Sequence, residues 1–64
     1  MRIDRIKLVS ELARRDMTQK QLAERAGISR ATVNYIKSGK SCCDEVGNKI
    51  AEALNIPIEQ LLEK

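Results

Sequence analysis

The sequence predicts an all-α fold of five short helices, and three observations predict it. Apolar residues recur every three or four positions through nearly all of the 64 residues, which is the spacing of a helix face. Tyr35 is the single aromatic residue, so the core has to be built from Leu, Ile, Val and Ala, which favours small helices over an aromatic-rich β-barrel. Residues that start and stop helices, Asp, Thr, Ser, Gly and Asn, fall between the periodic segments. With 42% hydrophobic and 33% charged residues, the composition is that of a folded chain and not of a disordered tail. No repeat or low-complexity segment appears, and 64 residues are room for one domain, expected over residues 1–64.

Each element has its own local justification. Asp4 is placed to cap a first helix whose stripe is Ile6, Val9, Leu12 and Ala13, with Leu8 on its flank and an end near Arg15. In the second helix Thr18 is the N-cap, Gln21 completes a capping box and Met17 with Leu22 forms a hydrophobic staple. It stops near Ala26, because Gly27 can adopt positive φ. Ser29 caps a third helix running to Gly39, with Ile28 and Val33 as a second staple. After a loop from Gly39 to Cys43, Cys43 or Asp44 caps a fourth helix carrying Val46, Ile50, Ala51 and Leu54, which Asn55 ends in the left-handed region. Pro57 opens a fifth helix with Ile58, Leu61 and Leu62 as its apolar face.

Charge and composition narrow the function. Residues 1–40 carry ten Lys/Arg against four Asp/Glu, and residues 41–64 carry two against five, so a basic half of +6 is followed by an acidic half of −3. A basic surface on a small helical unit suits a polyanion, because each phosphate it neutralises releases a condensed counterion. The absence of histidine removes the commonest general base and metal ligand, so neither catalysis nor a cofactor is expected. Cys42 and Cys43 are neighbours that a bridge would strain, and are expected as free thiols; they offer no zinc-ligand spacing. No apolar run reaches the ~18 residues of a membrane span and Met1-Arg2-Ile3-Asp4 opens no signal-peptide stretch, so a cytoplasmic protein without membrane contact is expected.

The most specific signal is T-Q-K-Q-L-A-E-R-A-G-I-S-R-A-T-V-N-Y-I-K-S-G-K, from Thr18 to Lys40. Gln19, Leu22-Ala23, Ala26-Gly27, Ile28-Ser29, Thr32-Val33 and Ile36 stand at fixed spacing, Gly39-Lys40 follows, and K-I-A-E-A-L-N-I-P-I-E-Q-L-L runs from Lys49 to Leu62. This pattern resembles the helix-turn-helix of the lambda-repressor-like, Cro/XRE family of phage and bacterial transcription regulators. The resemblance implies a compact five-helix DNA-binding domain with the helix-turn-helix in its second and third helices.

The residues of the third helix support that reading by themselves. Val33 and Ile36 fall on one side, and Ala31, Asn34, Tyr35 and Ser38 on the other, with Arg30 at the exposed first turn. A helix with a small polar face fits the major groove. Arg30 is the leading base reader, since its fork matches guanine O6 and N7; Asn34 suits adenine, and Ala31 a thymine methyl. Tyr35 is left between contact with DNA and packing on the following loop. Gln19, at the amide-rich start of the second helix, and Lys20, Ser38 and Lys40 are the expected phosphate contacts.

Two features depart from the family pattern. Lys37 stands where an acidic residue is frequent, and a contact with Glu11 is expected to hold the first helix to the third. Gly47 interrupts the fourth helix at a cost of ~1 kcal/mol against alanine and is expected to permit close helix approach. A double-stranded DNA operator is the expected partner. One recognition helix reads about half a site, so a weak homodimer is expected, formed through the Cys42-Cys43 loop, the fourth helix or the Ile58-Leu61-Leu62 surface. No small-molecule effector is expected. The rival reading is a protein-interaction module, an antitoxin or adaptor on the same fold.

Overall fold

In a computed structural model of the chain, which describes residues 1–63, the Asp4 carboxylate accepts hydrogen bonds from the main-chain N–H groups of Ile6 (2.9 Å) and Lys7 (3.2 Å) and opens α1, Arg5–Arg14. Thr18 and Gln21 form the reciprocal capping box of α2, Gln19–Ala26. Ser29 accepts from the Thr32 N–H and opens α3, Arg30–Lys37, which ends about two residues before Gly39. Cys43 occupies the N-cap of α4, Asp44–Leu54, without a side-chain bond; Asp44 and Glu45 in the first turn offer negative charge to the helix dipole there. Asn55 takes the left-handed conformation at φ 58° and stops α4.

The expected fifth helix is a correction: among the described residues there are four α-helices, and Ile58–Gln60 is one turn of 3-10 helix. Its bonds run from Gln60 N–H to Pro57 O (3.1 Å) and from Leu61 N–H to Ile58 O (2.9 Å). It cannot lengthen because the following residues are claimed by the chain start. Asp4 N–H donates to Leu61 O (2.7 Å), Glu63 N–H donates to Arg2 O (3.0 Å), and Ile3 and Leu62 form an antiparallel bridge.

That closure also changes which face of α1 is buried. The core joins Ile3, Leu8 and Leu12 to Leu22, Ala23 and Ala26 of α2, Val33 and Ile36 of α3, Ile50, Ala51 and Leu54 of α4, and Leu61. Of the expected stripe of Ile6, Val9, Leu12 and Ala13, Leu12 alone is buried: Ile6 is 71% and Val9 44% exposed, and Ala13 is exposed. Ile3 and Asp4, fixed against Leu61 and Leu62, set the rotation of α1 so that Leu8 and Leu12, one turn apart, point inward. Burial of Leu61 likewise removes it from the surface expected to pair two copies.

The Glu11–Lys37 contact is a second correction. Glu11 pairs with Arg14 (3.1 Å) and Arg15 of its own helix, at the i+3 and i+4 positions that lie nearest on a helix surface. Arg15 reaches on to donate to Leu54 O (2.8 Å), tying the end of α1 to the end of α4. Lys37 instead lines a cleft of about 340 Å³ with Arg5, Ile6, Val9 and Ser10. Gly47 is buried, but the close approach it allows is that of Met1 and not of a helix: a Cβ there would collide with the Met1 Sδ. Cys42 and Cys43 are free thiols, and burial pushes the Cys42 thiol above its ordinary pKa.

Gly27 has φ 72° and open space around its α-carbon, so Gly27→Ala adds left-handed strain without a clash and lowers stability by about 1 kcal/mol, or roughly 4–8 °C in Tm for a chain of this size. Thermal unfolding checks it, and Gly27→Asn falls between the two. The hydrogen bond from Arg15, more than any other influence, holds the Glu11 carboxyl below its usual 4.5. A lowered native pKa stabilises the fold above the unfolded pKa and is lost as pH falls through the native one. The stability difference between the wild type and Glu11→Gln is therefore constant at neutral pH and shrinks on acidification below about pH 4.5, as denaturant titrations at several pH values would read.

Candidate nucleic-acid interface

The candidate interface is built by the junction of α2 and α3. Leu22, Ala23 and Ala26 of α2 are buried, and the two alanines keep the inner face of α2 thin where α2 packs on α3. Gly27 turns left-handed, Ile28 N–H donates to Ala23 O (3.0 Å), and Ser29 restarts the helix. Thr32 N–H donates to Ser29 Oγ (3.1 Å) and caps the first turn of α3, and the Ser29 and Thr32 hydroxyls, 2.8 Å apart, hold the capping side chain in place. Met17 and Ile28, the outer residues of the two expected staples, pack partly buried against the core that holds Leu22 and Val33.

With Val33 and Ile36 fully buried, the opposite face of α3 is directed outward. Arg30, Ala31 and Asn34 are exposed, and Tyr35 is 56% exposed, an exposure shared by its two expected placements. These expected base readers therefore share one solvent face over the first half of α3 and its middle turn.

The expected phosphate contacts lie at the ends of the same unit. Gln19, half-buried, and Lys20, exposed, are the first two residues of α2, where main-chain N–H groups have no acceptor within the helix and the dipole favours an anion. Lys40 is exposed in the loop beyond α3. Ser38 is the C-cap of α3, and its hydroxyl donates to Tyr35 O (2.6 Å), so its proton is engaged within the protein and only its oxygen lone pairs face outward.

Charge is divided over the molecule in the same sense. Lys20, Arg25, Arg30 and Lys40 are exposed on or beside α2 and α3, with Glu24 as the exposed acid of α2, whereas Asp44, Glu45, Glu52 and Glu59 are exposed on α4 and the turn that follows it. Sequence reasoning missed Arg2, whose guanidinium donates to Gly39 O (2.8 Å) directly beside Lys40. No local pattern could signal it, because the partners are 37 residues apart.

Comparison with known proteins agrees with this geometry. A model of the Cro/C1-type HTH DNA-binding domain matches residues 7–63. No curated protein matches the chain. Three similar solved structures are 28% identical over 100% of this chain: native PhpD with cadmium atoms (TM-score 0.85), PhpD with cadmium complexed with hydroethylphosphonate (0.85), and a mutant of hydroxyethylphosphonate dioxygenase (0.88). The chain spans 14% of the length of each of these proteins. Among the described residues no helix is long and apolar enough to cross a membrane. The match over residues 7–63, with the capped turn between α2 and α3 and the outward face of α3, establishes that the chain belongs to the Cro/C1-type helix-turn-helix DNA-binding domains.

Proposed function

We propose that the chain is a sequence-specific, double-stranded DNA-binding transcriptional regulator of the repressor type, of phage, mobile-element or bacterial origin, which acts by binding and not by catalysis. The Cro/C1-type match over residues 7–63 carries the proposal, and the exposed α3 face gives it a mechanism. α3 enters the major groove N-terminal end first. Arg30 donates a bidentate pair to guanine, Asn34 pairs with adenine, Ala31 touches a thymine methyl and Tyr35 meets the groove wall. Gln19, Lys20 and Lys40, with the Ser38 oxygen through a water, hold the phosphates that set register. Two copies occupy half-sites ~34 Å apart as a weak homodimer. The Cys42-Cys43 loop and α4 remain as pairing surfaces once Leu61 is buried.

One observation favours a second reading, in which the unit is a protein-interaction module. In hydroxyethylphosphonate dioxygenase a 28%-identical unit of the same shape is 14% of an enzyme chain, so this fold also occurs as a part of a larger machine. Salt separates the two. Binding through several phosphates weakens steeply as salt rises, and an apolar protein interface does not.

Selection of duplexes from a random pool tests the proposal. The wild type is expected to enrich a roughly palindromic motif. Arg30→Ala loses the guanine preference at one position per half-site, by about 1–3 kcal/mol, while Lys40→Ala weakens binding about equally for all sequences and lowers the salt slope by about 1. Absence of enrichment at moderate salt would favour the protein-interaction module.

A further inference from the structure

We infer that Arg2 is a positioning residue for the phosphate contact of Lys40, acting through the main chain on the near side of that lysine. The inference rests on the DNA-binding reading above. Gly39 leaves α3 with φ 93°, a left-handed conformation, and its N–H donates to Ile36 O (3.0 Å). Its carbonyl, at the open end of α3, accepts from Arg2 Nη2 at 2.8 Å, a position where the helix dipole also favours a cation.

Arg2 is itself held from behind. Its Nε donates to Glu63 Oε1 (3.2 Å), and its carbonyl accepts from Glu63 N–H (3.0 Å). On the far side of Lys40, Cys42 N–H donates to Met1 O (2.8 Å) and the Met1 nitrogen donates to Cys42 O (2.7 Å). Met1 and Arg2 therefore fasten the chain on both flanks of Lys40, whose own side chain stays exposed.

The chemistry requires an arginine. Nε and Nη2, two donors of one rigid planar group, serve two acceptors at once, a fixed fork that the rotating ammonium of a lysine does not reproduce. A main chain already ordered leaves less entropy to be lost when the Lys40 ammonium settles on a phosphate. The competing role is a direct one, since the Arg2 side chain is 57% exposed and carries a charge that a phosphate would attract.

A double-mutant cycle on the full chain separates the two roles. The probe is the duplex that the wild type enriches, and affinity is read across a salt series, below the melting temperature of every variant. Arg2→Ala and Arg2→Lys are each expected to weaken binding about three- to tenfold, the range for releasing one ordered long side chain. In a Lys40→Ala background Arg2→Ala costs less than about twofold, because the contact it serves is gone. Amide exchange of Gly39 and Cys42, whose N–H groups donate to Ile36 O and Met1 O, is expected to quicken in both Arg2 variants of the free protein. Wild-type affinity in Arg2→Lys would overturn the inference in favour of direct charge contact, and so would effects of Arg2→Ala and Lys40→Ala that multiply. A wild type that binds no duplex would sink the DNA-binding reading itself and the inference with it, an outcome distinct from either of these.

Discussion

The turn between α2 and α3 is the constraint on which the rest of the molecule depends. Eight residues of α3 are too few to hold a helix by propensity, so its direction and rotation come from what sits at its ends. Gly27 supplies a left-handed residue at one position, and Ser29 supplies the first acceptor of the new helix two residues later. Ala23 and Ala26 then allow the helices to meet, and Val33 and Ile36 turn inward against them. Once those residues are buried, helical geometry leaves no choice about Arg30, Ala31 and Asn34, which must face outward together. The recognition surface is thus a consequence of capping and packing on its hidden side.

The second element of order is long-range. The first residues of the chain lie between the loop after α3 and the residues after the 3-10 turn, joined to both by main-chain hydrogen bonds. This closure seals the core under Ile3 and Leu61, both essentially without exposure. Arg15 performs a similar service at the other end, linking α1 to the last carbonyl of α4. A core of aliphatic side chains in a molecule of 25 × 21 × 19 Å has little depth, and these ties between its ends keep the short helices in one arrangement.

What was legible in the sequence follows from the range of the interactions involved. Asp4, Thr18 with Gln21, Gly27, Ser29 and Asn55 all act within four residues of themselves, and each does in the structure what its spacing implies. The inner and outer faces of α3 were legible for the same reason. α1 was legible only in part, because Leu12 makes as good a stripe with Ile6, Val9 and Ala13 as with Leu8, and the choice between them is made by Ile3 against Leu62, at the far end of the chain. The truncated last helix and the partners of Glu11 have causes of the same kind. Pro57 and the leucines permit a helix that the pairing with Arg2 and Asp4 cuts short, and Lys37 is out-competed by two arginines on the next turn of α1.

The candidate site therefore has an asymmetric charge pattern laid over a locally determined scaffold: basic side chains around α2, α3 and Lys40, acidic ones on α4 and beyond. The central claim is that duplex DNA meets the first of these surfaces. Two-dimensional amide spectra of the labelled chain, recorded as a duplex carrying a single half-site is added at low and at moderate salt so that no second copy is drawn onto α4, address it directly. The account predicts shifts clustered at Gln19, Lys20, Arg30 to Tyr35 and Lys40, with Asp44 to Glu59 unmoved. Shifts centred on α4, or on the exposed Ile6 and Val9 of α1, would contradict it.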